Sequence, residues 1–88
     1  MELEEVFSSK LRMKILKLLF QLGSLNVSDI ARRLNANFTA VSDNLRTLQA
    51  EGILQELPYG RIRMYRFNEA SPKARAVQEL IKAWEQNK

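Results

Sequence analysis

The chain has 88 residues, a formal net charge of +4, and neither cysteine nor histidine. That length suits one domain, residues 1–88, with a modest core. The missing residue types exclude disulfides, thiolate metal sites, thiol redox sensing and cysteine nucleophiles, and remove the commonest general base near neutral pH. No apolar run approaches the ~20 residues that span a bilayer, and the acidic opening Met1–Glu5 does not look like a signal peptide. A cytoplasmic protein without a membrane partner is expected.

The positive charge is unevenly placed. Between Lys10 and Arg66 there are ten basic residues against four acidic ones, whereas the two ends together carry four basic and six acidic. A basic body with acidic ends points to a polyanionic partner more strongly than net charge alone.

Taken in order, Leu3, Val6 and Phe7 recur at spacings of three and four and fit a short helix or a packing arm. Ser8 or Ser9 can cap a helix that runs to Leu22, before Gly23. Its apolar residues form two stripes. Leu11, Ile15, Leu18 and Leu22 are assigned to the domain core; Met13, Leu16 and Phe20 are assigned to the C-terminal helix or to a second subunit. Lys10, Lys14, Lys17 and Gln21 fill the remaining side, which is either solvated or set along phosphates.

Asn26 to Leu48 reads as two helices joined by a tight turn, within a helix-turn-helix of about residues 26–51. Asn26 caps the first, where Val27, Ile30, Ala31 and Leu34 share a face. Asn35 suits a left-handed turn, and Asn37 caps the second helix. There Val41, Leu45 and Leu48 form a buried stripe, and Gly52 follows as the stop. Thr39, Ser42, Asp43 and Arg46 lie opposite, short or hydrogen-bonding, as a helix offered to a major groove requires.

After Gly52 the period changes to that of strands. Ile53–Leu57 and Arg61–Phe67 are expected to pair around a Pro58-Tyr59-Gly60 turn, giving a two-stranded wing over about residues 53–67. Tyr65 and Phe67 are expected to pack inward, with Arg61 and Arg63 extending from the tip toward phosphates or a minor groove. Arginines that only keep an exposed hairpin soluble are the plainer alternative. Ser71-Pro72 then starts a helix to about Gln86, with Val77, Leu80, Ile81 and Trp84 in one apolar stripe assigned to a dimer interface.

Three segments resemble winged helix-turn-helix regulators of the ArsR type, especially small archaeal and bacterial members. Ser8–Leu19 is similar to the family's first long helix. Val27–Leu54 is similar to its helix-turn-helix and strand entry, a pattern shared with MarR-type repressors. Gly60–Asn68 is similar to its wing. The resemblance implies a mostly helical α+β fold and a homodimer that binds double-stranded operator DNA. It places Phe38, Thr39, Ser42 and Asp43 at groove-facing positions, beside the capping Asn37, Arg46, and the wing residues Arg61 and Arg63. Phe38 either completes the Val41–Leu45 stripe or touches a thymine methyl group, and partial burial is expected. Asp43 and Asn44 stand where family members often carry a basic residue and a histidine. Asp43 can accept from a cytosine amino group or orient Arg46.

In the family the first and last helices form the dimer, which agrees with Met13, Leu16, Phe20 and Trp84. Metal-responsive members bind through cysteines or histidine–carboxylate pairs, which this chain lacks, and Glu79 and Glu85 are six apart, off a common helical face. Neither a metal nor another cofactor is expected. The expected function is a DNA-binding transcriptional regulator, a repressor that occludes promoter DNA. A winged helix serving protein–protein interaction and a non-specific architectural DNA-binding protein are the alternatives. No nucleophile–base pair or glycine-rich phosphate loop suggests an enzyme.

Overall fold

The fold is described from a computed structural model, for residues 1–86. Five helices and three strands follow in the order α1 (Leu3–Ser8), α2 (Lys10–Leu22), β1 (Leu25–Asn26), α3 (Val27–Leu34), α4 (Phe38–Ala50), β2 (Leu54–Tyr59), β3 (Ile62–Phe67) and α5 (Pro72–Gln86). Side chains set most of the helix starts. Ser9 Oγ accepts from the Arg12 amide at 3.1 Å, Asn26 Oδ1 from that of Asp29 at 2.8 Å, Asn37 Oδ1 from that of Ala40 at 3.0 Å, and Ser71 Oγ from that of Ala74 at 3.3 Å. Each satisfies a donor that the first helical turn leaves without a partner. Asn35 adopts the left-handed conformation at φ 51°, which ends α3 and turns the chain into α4.

Helix α2 lies at the centre of the packing, touching α1, α3, α4, α5 and β3. That position overturns the expected division of its wheel. Ile15, Leu16 and Leu19 are the buried residues, while Leu11, Met13, Leu18 and Phe20 are half-buried and Leu22 is exposed. Leu16 is therefore not available to a second subunit: elements of its own chain enclose it. Helix α4 presses Val41, Leu45 and Leu48, all fully buried, onto the same core.

The sheet has three strands in the order β1-β3-β2, all antiparallel. The additional strand is β1, which pairs Leu25 with Tyr65 and Asn26 with Met64. Two residues cannot display an alternating pattern, so nothing in the sequence marks this strand. The hairpin is also tighter than expected. Tyr59 pairs with Ile62, leaving Gly60-Arg61 as the turn. Gly60 has φ 61° and Arg61 is not at positive φ, the pattern of a II′ turn that matches strand twist. Pro58, one step back from the closing pair, falls opposite Arg63, where the backbone of an antiparallel pair points away from its partner. Its missing N–H therefore costs the ladder nothing. Leu54, Glu56, Tyr65 and Phe67 face the core side, where Tyr65 and Phe67 are buried as expected.

Helix α5 divides its stripe. Ala74, Val77 and Ile81 are buried on the chain's own core, whereas Leu80 is 47% and Trp84 74% exposed.

Candidate nucleic-acid interface

The buried stripe of α4 fixes what the opposite side presents. Phe38, Thr39, Asp43 and Arg46 are exposed and Ser42 is half-buried, and their spacings of one, three and four put them on one arc of the helix. Asn37 is exposed at the start of this arc, its side chain used as the cap. Phe38 is 55% exposed, more than the partial burial expected of it, because Val41, Leu45 and Leu48 fill the core without it. Asp43 makes no ion pair with Arg46. Only its backbone carbonyl is engaged, by the Thr47 hydroxyl at 3.0 Å. Neither its carboxylate nor the Arg46 guanidinium makes a hydrogen bond or ion pair among the described residues, so Asp43 does not orient Arg46 through a side-chain contact here.

The hairpin holds Arg61 and Arg63 differently. Arg61 occupies the turn, exposed and without a hydrogen bond or ion pair among the described residues. Arg63 pairs through Nε with Glu56 Oε1 at 3.5 Å. The same carboxylate accepts from the Tyr65 hydroxyl at 3.2 Å. Burial pushes the Tyr65 hydroxyl above its ordinary pKa of 10.0, the Glu56 charge pushes it further, and Arg63 and Arg46 oppose the shift. Helix α4 packs against strand β2 of the hairpin. Glu56 had carried no role in the sequence reading, since its partner is fixed only by strand register.

The other basic residues divide between bound and free. Arg32 is tied to Asp29 at 2.7 Å within α3, and Lys17 to Glu85 of α5 at 3.3 Å. Lys10, Lys14 and Arg33 are exposed and have no ion pair among the described residues. Lys17 therefore belongs to the α5 side of the molecule rather than to a phosphate-facing row.

The expected dimer residues are likewise separated. Leu16, Val77 and Ile81 are buried within the chain, and Met13 and Phe20 are half-buried. Leu80 and Trp84 remain exposed, and Leu3 of α1 is 72% exposed. Leu80 borders two hollows. One, of about 390 Å³, is lined by Leu3, Val6, Phe7, Ile53, Ala76 and Val77 among others. The second, of about 250 Å³, lies between Met13, Ile81 and Trp84. Among the described residues, no helix is long and apolar enough to cross a membrane.

Known proteins were compared with this arrangement. The model of the bacterial regulatory protein arsR family matches residues 9–56, from the cap of α2 through the helix-turn-helix into β2. The chain belongs to the ArsR family. Several solved structures share its fold. The antimony-specific transcriptional repressor AntR is 26% identical, with a TM-score of 0.74 over 94% of this chain and 73% of AntR. The transcriptional repressor PagR of Bacillus anthracis is 25% identical, with a TM-score of 0.73 over 88% of this chain and 85% of PagR. A homodimeric winged helix-turn-helix DNA-binding domain from Mycobacterium bovis is 26% identical, with a TM-score of 0.76 over 93% of this chain and 73% of that one. No curated protein matches the sequence. Family and fold are thus those of DNA-binding transcriptional regulators.

Proposed function

We propose that this ArsR-family chain acts as one winged helix-turn-helix unit of a homodimeric repressor that binds its operator and occludes promoter DNA. The observation that carries the reading is the outward arc of α4, held opposite a fully buried stripe and beside a hairpin whose tip is basic. In the dimer, two such helices enter successive major grooves about 34–36 Å apart. Thr39, Ser42, Asp43 and Arg46 read base edges, with Asp43 accepting from a cytosine amino group and Phe38 against a thymine methyl. Arg61 and Arg63 engage phosphates or the adjacent minor groove.

The exposed Leu3, Leu80 and Trp84, flanking apolar hollows, support assembly through α1 and α5. So does the homodimeric state of the Mycobacterium bovis relative. Met13 and Phe20 contribute from α2, while Leu16, Val77 and Ile81 serve the subunit's own core.

The test is binding to the DNA upstream of the protein's own coding sequence, set against random DNA of equal length across a salt series. Three or four phosphates neutralised per subunit give a log–log salt slope of about −5 to −7. Arg61→Ala and Arg63→Ala are expected to weaken binding to both DNAs and make the slope about one unit shallower per lost phosphate contact. Ser42→Ala and Asp43→Asn are expected to change the preferred sequence. Equal losses on both DNAs from all four variants would overturn the division of roles, and a steep slope without preference would favour an architectural protein. The unpaired Asp43 carboxylate, which faces the same way as the arc, favours a protein-interaction module as the second reading. That reading predicts no DNA binding even at low salt.

A further inference from the structure

Arg12, in the first turn of α2, is half-buried and has no acidic partner among the described residues. Its guanidinium is instead shared between two other helices. Nε donates to Asn44 Oδ1 of α4 at 2.8 Å, and one terminal nitrogen donates to the Glu5 carbonyl of α1 at 2.7 Å. That carbonyl lies in the last turn of α1, where carbonyls lack helical partners and a positive charge is favourable. The Ser8 hydroxyl also reaches it, at 3.0 Å. On the α4 side, Asn44 Nδ2 donates to the Ala40 carbonyl at 2.8 Å. The Asn44 amide is thus held at both ends, from Arg12 and from its own helix.

The apolar stripe beneath α4 decides which face turns inward, but hydrophobic contact is non-directional. Hydrogen bonds are directional, and those to a charged donor are the stronger kind. Arg12 therefore adds a directional constraint on rotation to the one that Val41, Leu45 and Leu48 supply.

We propose that Arg12 is a positioning residue for α4: by bridging Asn44 to the Glu5 carbonyl, it sets the angle at which the outward arc meets DNA and so the preference for one sequence over another. The proposal rests on the DNA-reading role given to that arc. Arg12 acts through Asn44 rather than by contacting phosphate. Lysine is not a substitute, because its single ammonium does not reproduce the planar fork that spans two acceptors.

The test compares wild type, Arg12→Lys, Arg12→Met, Asn44→Ala and the Arg12→Met/Asn44→Ala double variant. The probes are the upstream fragment and random DNA over a salt series, with circular dichroism to verify folding. The ratio of upstream to random affinity is expected to fall about tenfold in each single variant. The double variant should be no worse than the poorer single, as for two ends of one bond. The salt slope should stay unchanged. A wild-type ratio in Arg12→Lys, additive losses in the double variant, or a slope made about one unit shallower per subunit in Arg12→Met would overturn the proposal, the last by marking a phosphate contact.

Amide hydrogen exchange of the free protein separates this proposal from the reading it rests on. Exchange in α4 should accelerate in all variants while α5 is unchanged, and Asn44→Ala gives the comparison if Arg12→Met does not fold. A wild type without preference would sink the DNA reading, and the exchange data would still decide the bridge. Unaltered exchange in α4 would overturn it.

Discussion

Helix α4 and the β2–β3 hairpin expose their side chains from opposite kinds of support. Helix α4 is fixed along its length, by the Asn37 cap, by three fully buried residues and by the Arg12–Asn44 bond, and its exposed arc is mainly polar, Thr39, Asp43 and Arg46 with Phe38 at its start. The hairpin is fixed only at its base, where Leu54, Tyr65 and Phe67 are buried. Toward its tip Tyr59 is 64% and Ile62 51% exposed, and Arg61 projects from the turn. A rigid polar surface suits reading of base edges, which demands placement of individual atoms. A long cationic side chain on a loosely held tip suits phosphate, which is present whatever the sequence.

If that contrast is right, the two elements answer differently to truncation. Leu45→Ala is expected to cost about 2–5 kcal/mol in denaturant unfolding, because the cavity opens under a helix held on several sides. Ile62→Ala at the hairpin tip should stay within about 0.5 kcal/mol; similar losses at both positions would refute the contrast. An intermediate effect is expected from Asn37→Ala, about 1 kcal/mol, from the loss of the α4 cap. A midpoint shift with an unchanged denaturant slope would identify it as a local loss of stability.

A pH-dependent effect is expected at Tyr65, on β3. Its folded pKa is raised by burial first and by Glu56 second, so the protonated form is favoured in the folded state. That contribution is fully present below the ordinary value of 10.0 and is lost as pH rises from there through the folded value. At neutral pH Tyr65→Phe should be less stable by about 0.5–1.5 kcal/mol, for the lost bond to Glu56. Above pH 10 the gap between the two proteins should narrow. A constant gap in alkaline melts would show that Tyr65 ionises as easily folded as unfolded.

What was legible in the sequence is what neighbouring residues determine. The caps at Ser9, Asn26, Asn37 and Ser71, the left-handed Asn35 and the stripe of α4 were all readable because each depends on residues a few positions apart. The ArsR-type resemblance was readable for the same reason, since its helix-turn-helix is one continuous segment. The shortfalls are long-range. Whether Leu16 serves the C-terminal helix or a second subunit stays open in the sequence, because a helical wheel shows which residues are apolar and not how many elements surround them; in the structure it is enclosed by its own chain. Strand β1 is too short to show a period, and its partner Tyr65 lies forty residues on. The Arg12–Asn44 bond joins positions 32 apart, and Glu56 meets Arg63 only through the hairpin register. Composition gave no sign of either pair.

Pro58 has a consequence for how copies of this chain meet. Strand β2 is one rim of the sheet, and a bare rim can recruit a strand from another molecule. At the position where that recruitment would need an outward N–H, proline offers none. The opposite rim is the two-residue β1, too short to template an extended strand. End-to-end fusion of sheets into a filament is thus disfavoured at both rims.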